Sequence, residues 1–158
     1  MKSLQMLFSS CDVCFHEIAP MKNYAFFRAG HPFSDRQSVT LKDLEEYPFV
    51  TYDQGLENSH FSEEPLFYKI LSKNVHVCDR STKIAVVRKT DCFSIGPGLT
   101  NSNADNFHKG QGEILAKPLE DPLGNLHLGY LIKNGHTASQ IEKSYLNFLR
   151  KDILALHS

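Results

Sequence analysis

No stretch of this 158-residue sequence comes near the roughly 18 consecutive apolar residues that a membrane-crossing helix needs, so no transmembrane segment is expected. Basic charge is equally short. Lys and Arg number 17 against 18 for Asp and Glu, which leaves no surplus of cations to neutralise phosphates, so this chain alone is not expected to read DNA. Cysteine is sparse, with four residues at positions 11, 14, 78 and 92. Their uneven spacing does not read as a secreted disulfide framework, and reduced thiols in the cytoplasm are the simpler reading. The start, Met1 to Phe8, carries a single Lys and an apolar core shorter than the about 7 to 15 residues of a secretory signal. Cys11 after Leu7-Phe8-Ser9-Ser10 faintly resembles a lipoprotein cleavage site, which is set aside on the same ground. Neither an internal repeat nor a low-complexity segment is present.

What is present is ordinary apolar content, 41% of the residues, enough for one domain or for two small lobes sharing a core. Residues 12–18 and 23–29, rich in Val, Phe, Ile and Tyr, read as two strands joined by a turn at Ala19-Pro20-Met21-Lys22. Gly30-His31-Pro32 then stops the second. Thr40, three residues before Asp43, gives a capping-box pattern, and Leu41, Leu44 and Tyr47 make the stripe of a short helix that ends at Pro48. Phe49 to Tyr52 is a compact strand that leaves through Asp53-Gln54-Gly55. Pro65 to Leu71 has helical spacing, and Val75 to Cys78 alternates as a strand does. Asp79-Arg80-Ser81-Thr82 offers caps for a short buried helix over Ile84 to Val87, despite the β-branched residues.

Cys92 to Ile95 reads as a strand ending at Gly96-Pro97-Gly98, residues 100–112 as loop, and Ile114–Leu119 and Leu126–Ile132 as strands. For the last helix, Thr137 and Gln140 form a capping box, and Ile141, Tyr145, Phe148, Leu149 and Ile153 make one apolar face that should pack on the sheet. Strands alternating with helices imply an α/β layer fold.

Two polar segments carry the candidate chemistry. Asp53 to Ser59 and Asp79 to Thr82 each follow a strand and precede a helix, where unpaired N–H groups and the positive dipole end favour a carboxylate or phosphate. In open α/β sheets the carboxyl ends of strands face the ligand crevice, so both segments could converge on one small molecule. Gln54, Asn58, Ser59, Ser81 and Thr82 supply donors and acceptors, and Arg80 a clamp for an anion. The competing reading is structural: Asp79 or Ser81 caps its helix and Arg80 pairs with a nearby acid.

Other clusters carry less. Cys11 and Cys14 have zinc-ligand spacing, but along a strand neighbouring side chains alternate faces and the two would diverge, so packing outweighs metal. The eight His residues are scattered, none beside a Ser or Cys in a nucleophile motif. Glu57, Glu63 and Glu64 near a helix start more often complement its dipole than act as acid or base.

His31-Pro32-Phe33, Leu44, Tyr47-Pro48, Gln54-Gly55, Asn58-Ser59, Phe61-Ser62-Glu63-Glu64 and Asp79-Arg80-Ser81-Thr82 occur in an order that resembles the effector-binding domain of LysR-type transcriptional regulators, nearest to a Gram-positive subgroup. Lys89-Thr90-Asp91-Cys92 departs from a glycine-bearing stretch of that subgroup. The resemblance implies a bilobal, periplasmic-binding-protein-like (type 2) α/β fold with the ligand held between lobes. Lobe two would span 31–119, and 1–30 with 120–158 would form a partial lobe one that lacks its first strand and helix.

It further implies a cytoplasmic, non-enzymatic sensor without cofactor, binding a small polar or anionic effector through Asp53, Gln54, Asn58, Ser59, Arg80, Ser81, Thr82 and Pro97. DNA would be reached only through a winged helix-turn-helix that the sequence lacks, and a homodimer or higher oligomer is expected. Two rivals stand beside it: an exported solute-binding lipoprotein of the same architecture anchored through Cys11, and a thiol or metal protein using Cys11 and Cys14.

Overall fold

The computed structural model describes residues 12–52, 71–98, 114–120 and 126–157, with side chains to residue 155. The chain divides into two compact units, one of Lys22–Gly124 and one of Met1–Met21 with Asn125–Ser158.

In the Lys22–Gly124 unit the central element is the second half of β1 (Val13–Arg28), flanked by antiparallel β4 (Ser94–Gly98) and β5 (Ile114–Pro118). The run Tyr24-Ala25-Phe26-Phe27 is apolar throughout because both faces of the strand are covered. Ala25 and Phe27 enter one cluster with Phe33, Leu44, Phe49 and Phe93, and Phe26 packs on a second with Val50, Val87 and Ile114. Gly98 is required here, since a Cβ would stand 2.5 Å from the Tyr24 ring.

β1 ends at Arg28, and Gly30 turns the chain with φ 76°, a left-handed conformation that only glycine adopts freely. Helix α1 is the four-residue Leu41–Leu44, opened by the reciprocal Thr40/Asp43 capping box that the sequence predicts. The Asp43 carboxyl, which accepts from the Thr40 hydroxyl and N–H and from Arg36, is held down to about 2.

β2 (Phe49–Tyr52) and β3 (Asn74–Val77) then pair in parallel. Val50 N–H donates to the Phe93 carbonyl (2.8 Å) and Phe93 N–H to that of Pro48 (3.0 Å), so the chain entering β4 runs parallel to β2. Helix α2 (Arg80–Lys89) lies on β2 and β3 through Val87, Ile84 and Val86 against Val50, Val75 and Val77. It is ten residues long and of these only Val87 is fully buried, so the expected short buried helix is instead half-covered. Each fully buried aliphatic side chain of this kind is worth about 1.5–3 kcal/mol.

The other unit contains the first half of β1 paired antiparallel with β6 (Leu126–Lys133), and helix α3 (Gln140–His157). Several expectations are corrected. First, β1 is one strand of 16 residues with no turn at residues 19–22; an irregularity in register falls between Glu17 and Ala19. Among the described residues β1 is paired here on one side only, so the N–H that Pro20 lacks interrupts no second ladder. Second, β4 begins at Ser94 and continues through Gly96-Pro97-Gly98 because those residues pair with Tyr24, Asn23 and Lys22.

Third, α3 is capped two residues later than expected. Ser139 Oγ accepts from Glu142 N–H (3.3 Å) and Glu142 Oε2 from Ser139 N–H (2.6 Å), with His136 Nε2 3.0 Å from Glu142 Oε1. These contacts hold the Glu142 carboxyl down to about 2. The expected core face is also split. Ile153 is buried and Leu146 and Leu149 are half-buried, whereas Ile141, Tyr145 and Phe148 are 82%, 62% and 64% exposed. The sequence carries two adjacent apolar stripes, and the buried one is Leu146, Leu149 and Ile153.

Candidate functional site

Because β2 and β3 are parallel with Tyr52 opposite Val77, their carboxyl ends lie at one edge of their sheet. At that edge the chain leaves β3 through Cys78 and Asp79 and enters α2. Asp79 is extended (φ −153°, ψ 164°), and its carboxylate accepts from Thr82 N–H (2.9 Å) and from the Thr82 hydroxyl (2.7 Å). Those bonds, the hydroxyl's first, lower the Asp79 pKa. Asp79 is therefore the helix cap, and the Thr82 hydroxyl proton is committed to it.

Arg80, Ser81 and Thr82 are exposed on the first turn of α2, and Lys83 follows them half-buried. The Lys83 ammonium lies 5.0 Å from the centroid of the Tyr52 ring, within cation–π range. The first turn of α2 contains no acidic residue, yet it holds two cations, Arg80 and Lys83. Cations are disfavoured at the positive end of a helix by about 0.3–1 kcal/mol each, and here they stand beside the capping Asp79 carboxylate. The ten-residue length of α2 gives that positive end a full dipole behind it.

The structure thus brings Arg80, Ser81 and Thr82 together at one helix start. Pro97 lies on β4, exposed and opposite Asn23 of β1. Asp53, Gln54, Asn58 and Ser59 lie outside the described residues, as do the helix expected over Pro65 to Leu71 (Leu71 itself excepted), the loop 100–112 and Cys11. Sequence reasoning missed Lys83 and Tyr52. The signal was available in part: Lys83 stands four residues after the cap, one helical turn on, and Tyr52 is the last aromatic of its strand.

Among the described residues no group of three or more His, Cys, Asp or Glu could hold a metal ion, and Cys14, Cys78 and Cys92 are free thiols. Nor is any described helix long and apolar enough to cross a membrane.

No family model matches the chain, and no curated protein matches it. Solved structures do. The chain is similar to HinK, a LysR family transcriptional regulator from Pseudomonas aeruginosa, with 15% identity and TM-score 0.64 over 90% of this chain and 48% of that one. It is similar to the effector-binding domain of QuiR, solved in complex with shikimate, at 15% identity and TM-score 0.61 over 90% of this chain and 66% of that one. Full-length CbnR, solved with its target DNA, matches at 15% identity and TM-score 0.63 over 90% of this chain and 49% of that one. The chain thus spans between about half and two thirds of these structures. At such identities the likeness is one of fold: mixed α/β, of the periplasmic-binding-protein-like type 2 found in the effector-binding domains of LysR regulators.

Proposed function

We propose that this chain carries the effector-sensing domain of a LysR-type transcriptional regulator of a Gram-positive subgroup. In this reading residues 31–119 make up lobe two, and residues 1–30 with 120–158 belong to lobe one. The observation that carries this reading is the pair of cations, Arg80 and Lys83, in the first turn of α2, set at the carboxyl edge of two parallel strands. In α/β sheets that edge is where ligands bind. An effector with a carboxylate or a comparably polar group would bind at this turn, with Arg80 as clamp and the Ser81 hydroxyl as a further partner. Thr82 acts from its place beside Asp79, and Asp53, Gln54, Asn58, Ser59 and Pro97 complete the proposed contact set.

No covalent step or cofactor is involved. Bound effector favours one arrangement of the domain by its differential affinity and passes that bias to DNA-binding parts, in the cytoplasm, within a homodimer or larger oligomer. The test is thermal unfolding with shikimate, the ligand in the QuiR structure, and with a panel of small carboxylates and neutral polyols. A ligand at one hundred times its Kd adds about 2.7 kcal/mol to stability. Stabilisation by at least one carboxylate, lost in Arg80→Ala, supports the reading. A panel without effect, or binding indifferent to Arg80→Ala, contradicts it.

A further inference from the structure

His31 lies in the turn that follows β1 and is 2% exposed. Its ring is enclosed by three others: Phe27 stacked at 4.7 Å between centroids, Tyr47 tilted at 4.6 Å and Phe33 at 5.2 Å. Its Nδ1 accepts the N–H of Phe33 at 3.3 Å, which fixes the neutral tautomer with the proton on Nε2, and Nε2 is buried beside the Asp91 backbone. The turn is built around this residue. The N–H of Ser34 (2.8 Å) and its hydroxyl (2.7 Å) both donate to the His31 carbonyl, and Arg36 N–H donates to that of Phe33. Phe33 is itself a member of the core.

The charged and titratable groups around the ring come from each element packed on it. Arg28 closes β1 and is bonded through Nε and Nη2 to Asp91 Oδ1 at 2.9 and 2.7 Å; Asp91 comes from the segment before β4; the Tyr47 phenol follows α1; and the Arg36 guanidinium lies 4.6 Å from the Phe33 centroid. Asp91 favours a charged ring, while burial, the largest influence, and Arg28 oppose it, so the net direction is a lowered pKa.

We infer that His31 is an acid-released latch, in which proton uptake at Nδ1 breaks the Phe33 N–H bond and frees the turn 29–36 from the aromatic cluster. A protonated Nδ1 has no lone pair to offer, so that bond cannot survive the charge. The faces of Phe27 and Tyr47 attract an imidazolium, which offsets part of the cost of the charge, and burial remains the larger influence. Proton binding is favoured in the loosened state, so the closed turn is complete above the ordinary histidine value of 6.5 and is lost as pH falls toward the lower folded value.

The test is amide hydrogen exchange of the full chain between pH 7.5 and pH 5, corrected for intrinsic rates, with the His31 ring followed by NMR. Protection of the Phe33 and Ser34 amides should fall by about tenfold per pH unit between the two midpoints, in step with ring titration below 6.5. His31→Asn, whose Oδ1 can accept from Phe33 in place of Nδ1, should show no such dependence. Equal wild-type protection at both ends of the range, or an ordinary ring midpoint with no change at Phe33 across it, overturns the inference without recourse to the variant.

Discussion

The Lys83 ammonium lies over the face of the Tyr52 ring, 5.0 Å from its centroid, and so ties the first turn of α2 to the last residue of β2. A cation–π contact at a partly exposed site is worth about 0.5–1 kcal/mol, comparable to what a cation loses at the positive end of a helix. Lys83→Met should weaken binding of a carboxylate several-fold, with the loss shrinking as salt is raised. Calorimetric titration at two ionic strengths checks this.

Asp79 caps α2 by accepting from both Thr82 donors, the N–H at Oδ1 and the hydroxyl at Oδ2. Asp79→Asn should keep most of the stability that Asp79→Ala loses, since Asn is an equally good cap. Denaturant midpoints of the two variants, with helix content followed by circular dichroism, separate the effects. Equal losses would mean that the cap contributes chiefly by its charge.

The Asp43 carboxyl, held down to about 2 by Thr40 and Arg36, gives a pH dependence with a definite sign. Its folded pKa lies below the ordinary 3.8, so its contribution is fully present above that value and is lost as pH falls toward 2. The side chain is 27% exposed, so solvent screening reduces the contribution to on the order of 1 kcal/mol. Acid titration of stability should be shallower between pH 4 and pH 2 in Asp43→Asn than in wild type.

How legible these features were depended on the range of the contact. The Thr40/Asp43 box is a three-residue relation and could be read directly from the sequence, as could the β-forming run Phe49 to Tyr52, while the pattern narrows the cap of α2 only to Asp79 or Ser81. The continuity of β1 through Pro20 could not, because it depends on β6, more than a hundred residues away, pairing only one side of the strand. Tyr52 and Lys83 meet only because β2 and β3 are parallel neighbours, a fact that no local pattern encodes. In α3 two apolar stripes share the helical period, and periodicity alone does not say which one is buried.

That choice of stripe has a direct check. Ile153→Ala should cost about 2–5 kcal/mol as a buried aliphatic truncation, whereas Ile141→Ala, at an 82% exposed position, should stay within about 0.5 kcal/mol of wild type. Urea unfolding of the two variants measures the difference, and equal costs would mean that the helix is rotated from the arrangement described.

The most direct measurement of the central claim is the mapping of backbone amide shifts in the full chain as shikimate, and then each carboxylate of the panel, is added. If the start of α2 receives the effector, the largest changes fall on Arg80, Ser81, Thr82 and Lys83, saturate with concentration, and vanish in Arg80→Ala. Saturable binding whose shifts lie elsewhere and leave the first turn of α2 untouched would contradict the assignment of this edge as the sensor site.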